Sequence, residues 1–251
     1  MDLRSFFAAH PRAALAFSGG TDSAYLLYAG LACGADLRPY IAVSPFQPAF
    51  EREDALRLCR QLGAEPRLLE ADPLACPEIR ANGPERCYFC KSAILRLIRE
   101  AAREDGYSLL LDGTNASDQA GDRPGMRALE EQGVLSPLRL CGLEKPRIRE
   151  LSRQAGLFTW NKPAYACLAT RIKTGEALTL PRLQTVESAE SLLLSLGFSD
   201  FRVRTRGDRA LLQFPEAQLP AAREREAELR ERLSPLFSEI SIDPAGRKTS
   251  L

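Results

Sequence analysis

Ser18-Gly19-Gly20-Thr21-Asp22-Ser23 is the stretch that decides the reading of this chain. It follows the apolar run Ala13-Ala14-Leu15-Ala16-Phe17 and precedes a helical pattern from about Ser23 to Cys33. A buried strand, a glycine pair and a helix start in that order form an anion cradle. The glycines let backbone approach a phosphate, and the helix N-terminus adds unpaired N–H groups and a positive dipole end. Ser18, Thr21 and Ser23 add hydroxyl donors, while Asp22 would repel bare phosphate and points to bound Mg²⁺ or to a capping role. No Lys follows the glycines, so this is not the GxxxxGK[ST] loop.

Outward from this loop, apolar strands alternate with amphipathic helices. Residues 37–43 read as a second strand, 48–62 as a helix closed by Gly63, Arg67–Leu69 as a third strand, 86–104 as a helix and Tyr107–Leu111 as a fourth strand. That alternation predicts an α/β fold with a doubly wound parallel sheet, whose ligands bind beyond the carboxyl ends of the strands. Residues 112–126 form a loop long enough to imply function, and Lys145–Gly156 reads as a helix. Past Leu180 the pattern changes to a helix at 182–196, strands at 201–205 and 210–214, a charged helix at 217–233 and a strand near 237–242. The expected division is therefore 1–178 for the nucleotide domain and 179–251 for a small α+β module.

The totals narrow the chemistry. With 34 basic and 33 acidic side chains in 251 residues, there is no general pull towards nucleic acid. The start Met1-Asp2-Leu3-Arg4 does not resemble a signal peptide, and runs such as Leu192–Leu194 are far too short to span a bilayer. A cytoplasmic location is expected. Seven cysteines there suggest metal or thiol chemistry rather than disulfides, and a single His, His10, leaves no room for a His-based triad.

Three of the seven cysteines stand out. Cys87-Tyr88-Phe89-Cys90-Lys91 sets two thiols on one helical face, able to reach a common ion or cluster. With Cys167, in Lys162-Pro163-Ala164-Tyr165-Ala166-Cys167-Leu168-Ala169-Thr170-Arg171, they make an incomplete tetrahedral set that suits a [4Fe–4S] cluster with one open iron. Cys33, Cys59, Cys76 and Cys141 read as small apolar residues.

SGGxDS resembles the phosphate loop of the PP-loop ATP pyrophosphatases, and Asp112-Gly113-Thr114-Asn115-Ala116-Ser117-Asp118 resembles their second motif. Together with Glu85–Lys91, the Arg123–Ala128 stretch, Lys162–Arg171 and Arg202-Val203-Arg204, these blocks cover nearly the whole chain. They are similar to the ATP-dependent sacrificial sulfur transferases (LarE), three-cysteine [4Fe–4S] branch; Thr170, where Ser is common, is a departure. The resemblance implies ATP and Mg²⁺ as cofactors, with Ser18–Ser23, Thr114 and Asn115 on the nucleotide and Asp22 and Asp118 on the metal. It implies a carboxylated pyridinium mononucleotide as substrate, thiolated through Cys87, Cys90 and Cys167, and a homo-oligomer. Arg171, Arg202, Arg204, Arg123 and Glu190 are the expected substrate contacts; Lys145 and Arg149 are candidates for the nucleotide's neighbourhood. A PP-loop tRNA thiolase is the alternative enzyme, and a nucleotide-binding redox sensor the non-catalytic one. The lack of a basic surface or an added RNA module favours the small-molecule reading.

Overall fold

In β-strands successive side chains alternate between faces, and the first strand shows what that alternation builds. The computed structural model describes residues 1–118 and 124–247. Its elements run α1 (Leu3–Ala9), β1 (Arg12–Ala16), α2 (Thr21–Ala32), β2 (Asp36–Val43), α3 (Ala49–Leu62), β3 (Arg67–Glu70), α4 (Pro77–Arg80) and α5 (Arg86–Glu104). They continue with β4 (Leu110–Leu111), α6 (Pro124–Glu131), α7 (Pro137–Leu140), α8 (Lys145–Gln154), α9 (Leu180–Ser195), β5 (Arg202–Arg206), β6 (Arg209–Gln213), α10 (Leu219–Glu224), α11 (Glu226–Leu233) and β7 (Glu239–Ile242).

Strands β1 to β4 pair in parallel in the order β3-β2-β1-β4. Ala13, Leu15 and Phe17 point to one face with Leu37 and Ile41, against Leu26, Leu27, Leu58 and Ile148 of α2, α3 and α8. Ala14, Tyr40, Leu69 and Leu110 point to the other, against Leu95, Ile98 and Ala102 of α5 and Leu129 of α6. A sheet covered on both faces explains why its strands read as nearly continuous apolar runs. The fold class is α/β, as the sequence predicts. The chain steps from β1 to β2 and β3 on one side and places β4 on the other. The order thus reverses between β1 and β4, which opens a crevice at their carboxyl ends.

Three elements differ from their sequence reading. The fourth strand is shorter because the Tyr107 amide closes the end of α5 onto the Ala102 carbonyl at 2.8 Å. Only Leu110 and Leu111 pair with β1. Helix α6 buries only Ala128 and Leu129, too few apolar positions to show a period in the sequence. The expected helix over 217–233 breaks at Arg225, whose guanidinium turns to Glu228 (2.8 Å) and the Leu196 carbonyl (2.9 Å).

The chain divides into two compact units, Met1–Pro73 with Glu85–Lys162, and Leu74–Pro84 with Pro163–Leu251. The second unit thus takes residues 163–178 and an excursion from the middle of the chain as well as the C-terminal module. Asn82 anchors that excursion within it. Buried at φ 54°, it donates through Nδ2 to the carbonyls of Lys173 (2.9 Å) and Glu176 (3.0 Å). The unit's core is Val203, Leu212, Phe214, Leu229 and Leu233 around a sheet ordered β5-β6-β7, with β5/β6 antiparallel and β6/β7 parallel. Among the described residues no helix is long and apolar enough to cross a membrane.

Candidate active site

The phosphate loop sits where β1 hands over to α2. Gly19 takes φ +74°, and a Cβ there would lie 2.6 Å from that of Ala55 on α3, so backbone geometry and packing both demand glycine. Helix α2 starts at Gly20 with no side-chain cap, which leaves its first N–H groups for an anion. The Ser18 and Ser23 hydroxyls stand 3.1 Å apart at the loop's mouth, and Ser18 Oγ accepts from the Gly20 amide at 3.3 Å. Thr21 is buried, and its hydroxyl donates to the Thr159 carbonyl at 2.9 Å, so it braces the loop.

The β4 loop lies directly against this one. A Cβ on Gly113 would come within 2.8 Å of the Ser23 amide nitrogen. Buried Asp112 organises it: its carboxylate accepts from the Thr114 amide (3.2 Å), the Thr114 hydroxyl (2.5 Å) and the Ser136 hydroxyl (2.6 Å). Asp118 accepts from the Asn115 amide at 3.0 Å, and Asn115 Oδ1 from the Ser117 amide at 2.8 Å. Side-chain oxygens of Thr114, Asn115 and Asp118 therefore shape the loop as well as lining it.

Asp22 carries the electrostatics. Its Oδ2 is 2.7 Å from Lys145 Nζ, while Oδ1 is buried with no hydrogen-bond partner among the described residues. Burial raises its carboxyl above the ordinary range; Lys145 pulls it back down, and the charge of Asp118 pushes it up again. An orphaned carboxylate oxygen beside a second carboxylate fits a divalent cation such as Mg²⁺ held by Asp22 and Asp118. Lys145 reaches this point because its own amide donates to Ser117 Oγ at 2.9 Å and the Ala116 amide donates to the Leu143 carbonyl at 2.8 Å.

Cys87 and Cys90 lie on the first turn of α5, exposed and half-buried. The next residue, Lys91, sets its Nζ 3.5 Å from Asp112 Oδ2, which seats this turn beside the β4 loop. Spaced three apart on one helix, the two thiols face the same side of α5. Among the described residues no group of three or more His, Cys, Asp or Glu side chains is gathered to hold a metal.

In the second unit Cys167 is half-buried and opens the turn Leu168–Arg171. Thr170 closes the turn, its amide 3.0 Å and its hydroxyl 2.8 Å from the Cys167 carbonyl. Arg171, whose side chain is 0% exposed, holds it from inside. It reaches the Ala166 carbonyl (2.9 Å), Thr170 Oγ1 (2.8 Å) and both oxygens of Glu190 (2.8 and 3.2 Å). Glu190 also accepts from the Tyr165 hydroxyl and from the Val203 amide at 3.0 Å. Arg171 and Glu190, expected on the substrate, are here each other's buried partners. A buried guanidinium needs such a counter-ion. Arg202 is buried as well, donating to the Ala164 carbonyl at 2.6 Å. Burial, with Arg171 and Arg247 nearby, pulls its pKa down to about 10. Arg204 is exposed on the same strand, donating to the Thr170 carbonyl and to Gln213 Oε1 at 3.1 Å.

No protein-family model matches the chain. A pyridinium-3,5-bisthiocarboxylic acid mononucleotide synthase of Lactiplantibacillus plantarum is 33% identical over 210 residues, 83% of this chain and 76% of the relative. The chain belongs to the LarE family. An uncharacterised Synechocystis protein is similar over much the same span, 36% identical across 87% of this chain and 82% of its own. A glutamine-hydrolysing GMP synthase of Aeropyrum pernix, 28% identical over 72% of this chain and 39% of its own length, joins this LarE chain to the wider PP-loop superfamily. It is an enzyme of that superfamily.

Within this LarE fold the structure brings Ser18–Ser23, Gly113–Asp118 and Lys145 to one crevice. Arg123 lies outside the described residues. Sequence reasoning gave Asp112 no role, although its place at the strand end was the available signal. It gave none to Lys162 Nζ, which meets Asp54 (2.7 Å) and Glu51 (3.1 Å) on α3. That contact spans 108 residues of chain and has no local signature.

Proposed function

We propose that this enzyme uses ATP to adenylate a carboxylate of pyridinium-3,5-biscarboxylic acid mononucleotide and replaces the AMP with sulfur. The thiocarboxylate product would feed nickel-pincer nucleotide synthesis. The observation that carries the reading is the crevice between β1 and β4: Gly113 lets the β4 loop close on Ser23 and Gly19 seats the phosphate loop against α3, beside an uncapped helix start and the orphaned Asp22 oxygen. Such an arrangement binds a polyphosphate chain and positions it. The relative named for bisthiocarboxylic acid mononucleotide synthesis gives the substrate class.

In the first half-reaction a substrate carboxylate oxygen attacks the α-phosphorus, the α–β bridge breaks and pyrophosphate leaves. The α2 amides, Ser18 and Ser23 bind phosphate oxygens; Mg²⁺ on Asp22 and Asp118 would neutralise their charge. In the second, a sulfur nucleophile attacks the acyl carbon, the C–O bond to AMP breaks and AMP departs with its electron pair. Cys87, Cys90 and Cys167 are assigned to that step, as ligands of a [4Fe–4S] cluster when one is assembled; such a cluster supplies an open iron for hydrosulfide. Thiolates need little base near neutral pH, which suits a chain with one His. Arg204, on the exposed side of β5, is the guanidinium assigned to substrate phosphate. Cytoplasmic action as a homo-oligomer completes the reading.

The test is an anaerobic assay of the purified enzyme with ATP and the dicarboxylate mononucleotide. Pyrophosphate release that depends on the mononucleotide, with a thiolated product by mass spectrometry, is expected. Thiolation of tRNA with no action on the mononucleotide overturns the assignment.

A further inference from the structure

Lys145 is poised for a task that the adenylation chemistry alone does not assign. Its Nζ lies 2.7 Å from Asp22 Oδ2, in the crevice where a divalent cation fits, while Asp22 Oδ1 is buried without a partner among the described residues. Asp118 adds its field to the same point. Two carboxylates so placed repel each other and an incoming triphosphate; one ammonium satisfies half of one of them. The Lys145 backbone is pinned by Ser117 Oγ, whereas the side chain is a long flexible stem about a quarter exposed. Another cation of α8, Arg149, also draws the Asp22 carboxyl down, but less than Lys145 does. Arg149, one turn on, is committed to the carbonyls of Trp160 (2.8 Å) and Lys162 (3.0 Å).

We propose that Lys145 is a resident counter-ion that exchanges partners. In the nucleotide-free enzyme it neutralises Asp22; when Mg·ATP enters, Mg²⁺ takes the carboxylate and the released ammonium moves to a nucleotide phosphate oxygen. The inference rests on the nucleotide-loop reading above. It makes Lys145 a positioning residue for the phosphate chain and a guard that keeps the empty site from binding Mg²⁺ alone. A static tie between α2 and α8 is the competing account.

The experiment uses the full chain, with Mg²⁺ and ATP as separate probes in thermal unfolding and calorimetric titration. Wild type is expected to show no stabilisation by Mg²⁺ without nucleotide. Lys145→Met is expected to gain it, by about 3 °C at ten times the new dissociation constant, and to bind metal-free ATP about tenfold more weakly. Asp22→Asn, nearly isosteric and a safeguard should the Met variant fold poorly, is expected to bind metal-free ATP at least as tightly as wild type, and the double variant Lys145→Met/Asp22→Asn is expected to lose the gain from Mg²⁺. A Lys145→Met protein that is merely less stable, with no response to Mg²⁺ alone, overturns the exchange in favour of the static tie. So does a double variant that keeps the Mg²⁺ gain, or an Asp22→Asn protein that binds metal-free ATP more weakly than wild type. Wild type that binds no ATP under any condition removes the nucleotide-loop reading and this proposal with it.

Discussion

At the residue scale the phosphate loop depends on one backbone conformation. Replacing Gly19 with Ala forces φ +74° on a residue with a Cβ and drives that carbon to 2.6 Å from Ala55. The left-handed strain alone costs about 1–3 kcal/mol. Gly19→Ala is therefore expected to lower the unfolding midpoint and abolish ATP binding, read by denaturant titration and calorimetry. The Arg171–Glu190 pair makes a second residue-scale prediction. Losing the guanidinium strands Glu190 in the core and costs about 3–5 kcal/mol, and Lys cannot reproduce the fork. Arg171→Met is expected to destabilise the protein strongly, with Arg171→Lys recovering only part; two-state behaviour of both in urea checks this. Their pairing was not legible in sequence, where Arg171 and Glu190 stand 19 residues apart and read as separate substrate contacts.

Among the elements, the cysteines separate by environment. Cys59 is buried on α3, and burial pushes its thiol up to about 11, whereas Cys33 and Cys87 are exposed. Brief alkylation at pH 8 followed by peptide mass spectrometry is expected to label Cys33 and Cys87 and spare Cys59; the thiolate is the reacting form. The α4 excursion tests the unit boundary. Asn82→Ala removes the donor to three carbonyls, those of Ile172, Lys173 and Glu176, each left short of a bond at about 1–3 kcal/mol. Hydrogen exchange is expected to speed up across residues 172–178 and leave β1 protected. The sequence marked strands and helices because their apolar periods are local. It did not mark the break at Arg225 or the attachment of α4, where the deciding partners lie far along the chain.

At the scale of the molecule, the proposed reaction assigns adenylation to residues of the first unit and includes Cys167 of the second in sulfur delivery, and each unit has its own core. The two half-reactions should thus be separable by mutation. Cys167→Ser is expected to keep mononucleotide-dependent pyrophosphate release while thiolated product falls below detection. Loss of both activities in a folded protein would show that Cys167 also serves the adenylation step.

Sequence alone determined the α/β class and the place of the phosphate loop after the first strand, because strand alternation and glycine act through local chemistry. Only the tertiary structure decided which polar groups already have partners. Thr21 is spent on the Thr159 carbonyl, Arg171 on Glu190 and Lys145 on Asp22. The reason is physical: a side chain's role depends on what shares its burial. Those partners come from residues up to 138 positions away, gathered by the burial of apolar faces rather than by any pattern near them.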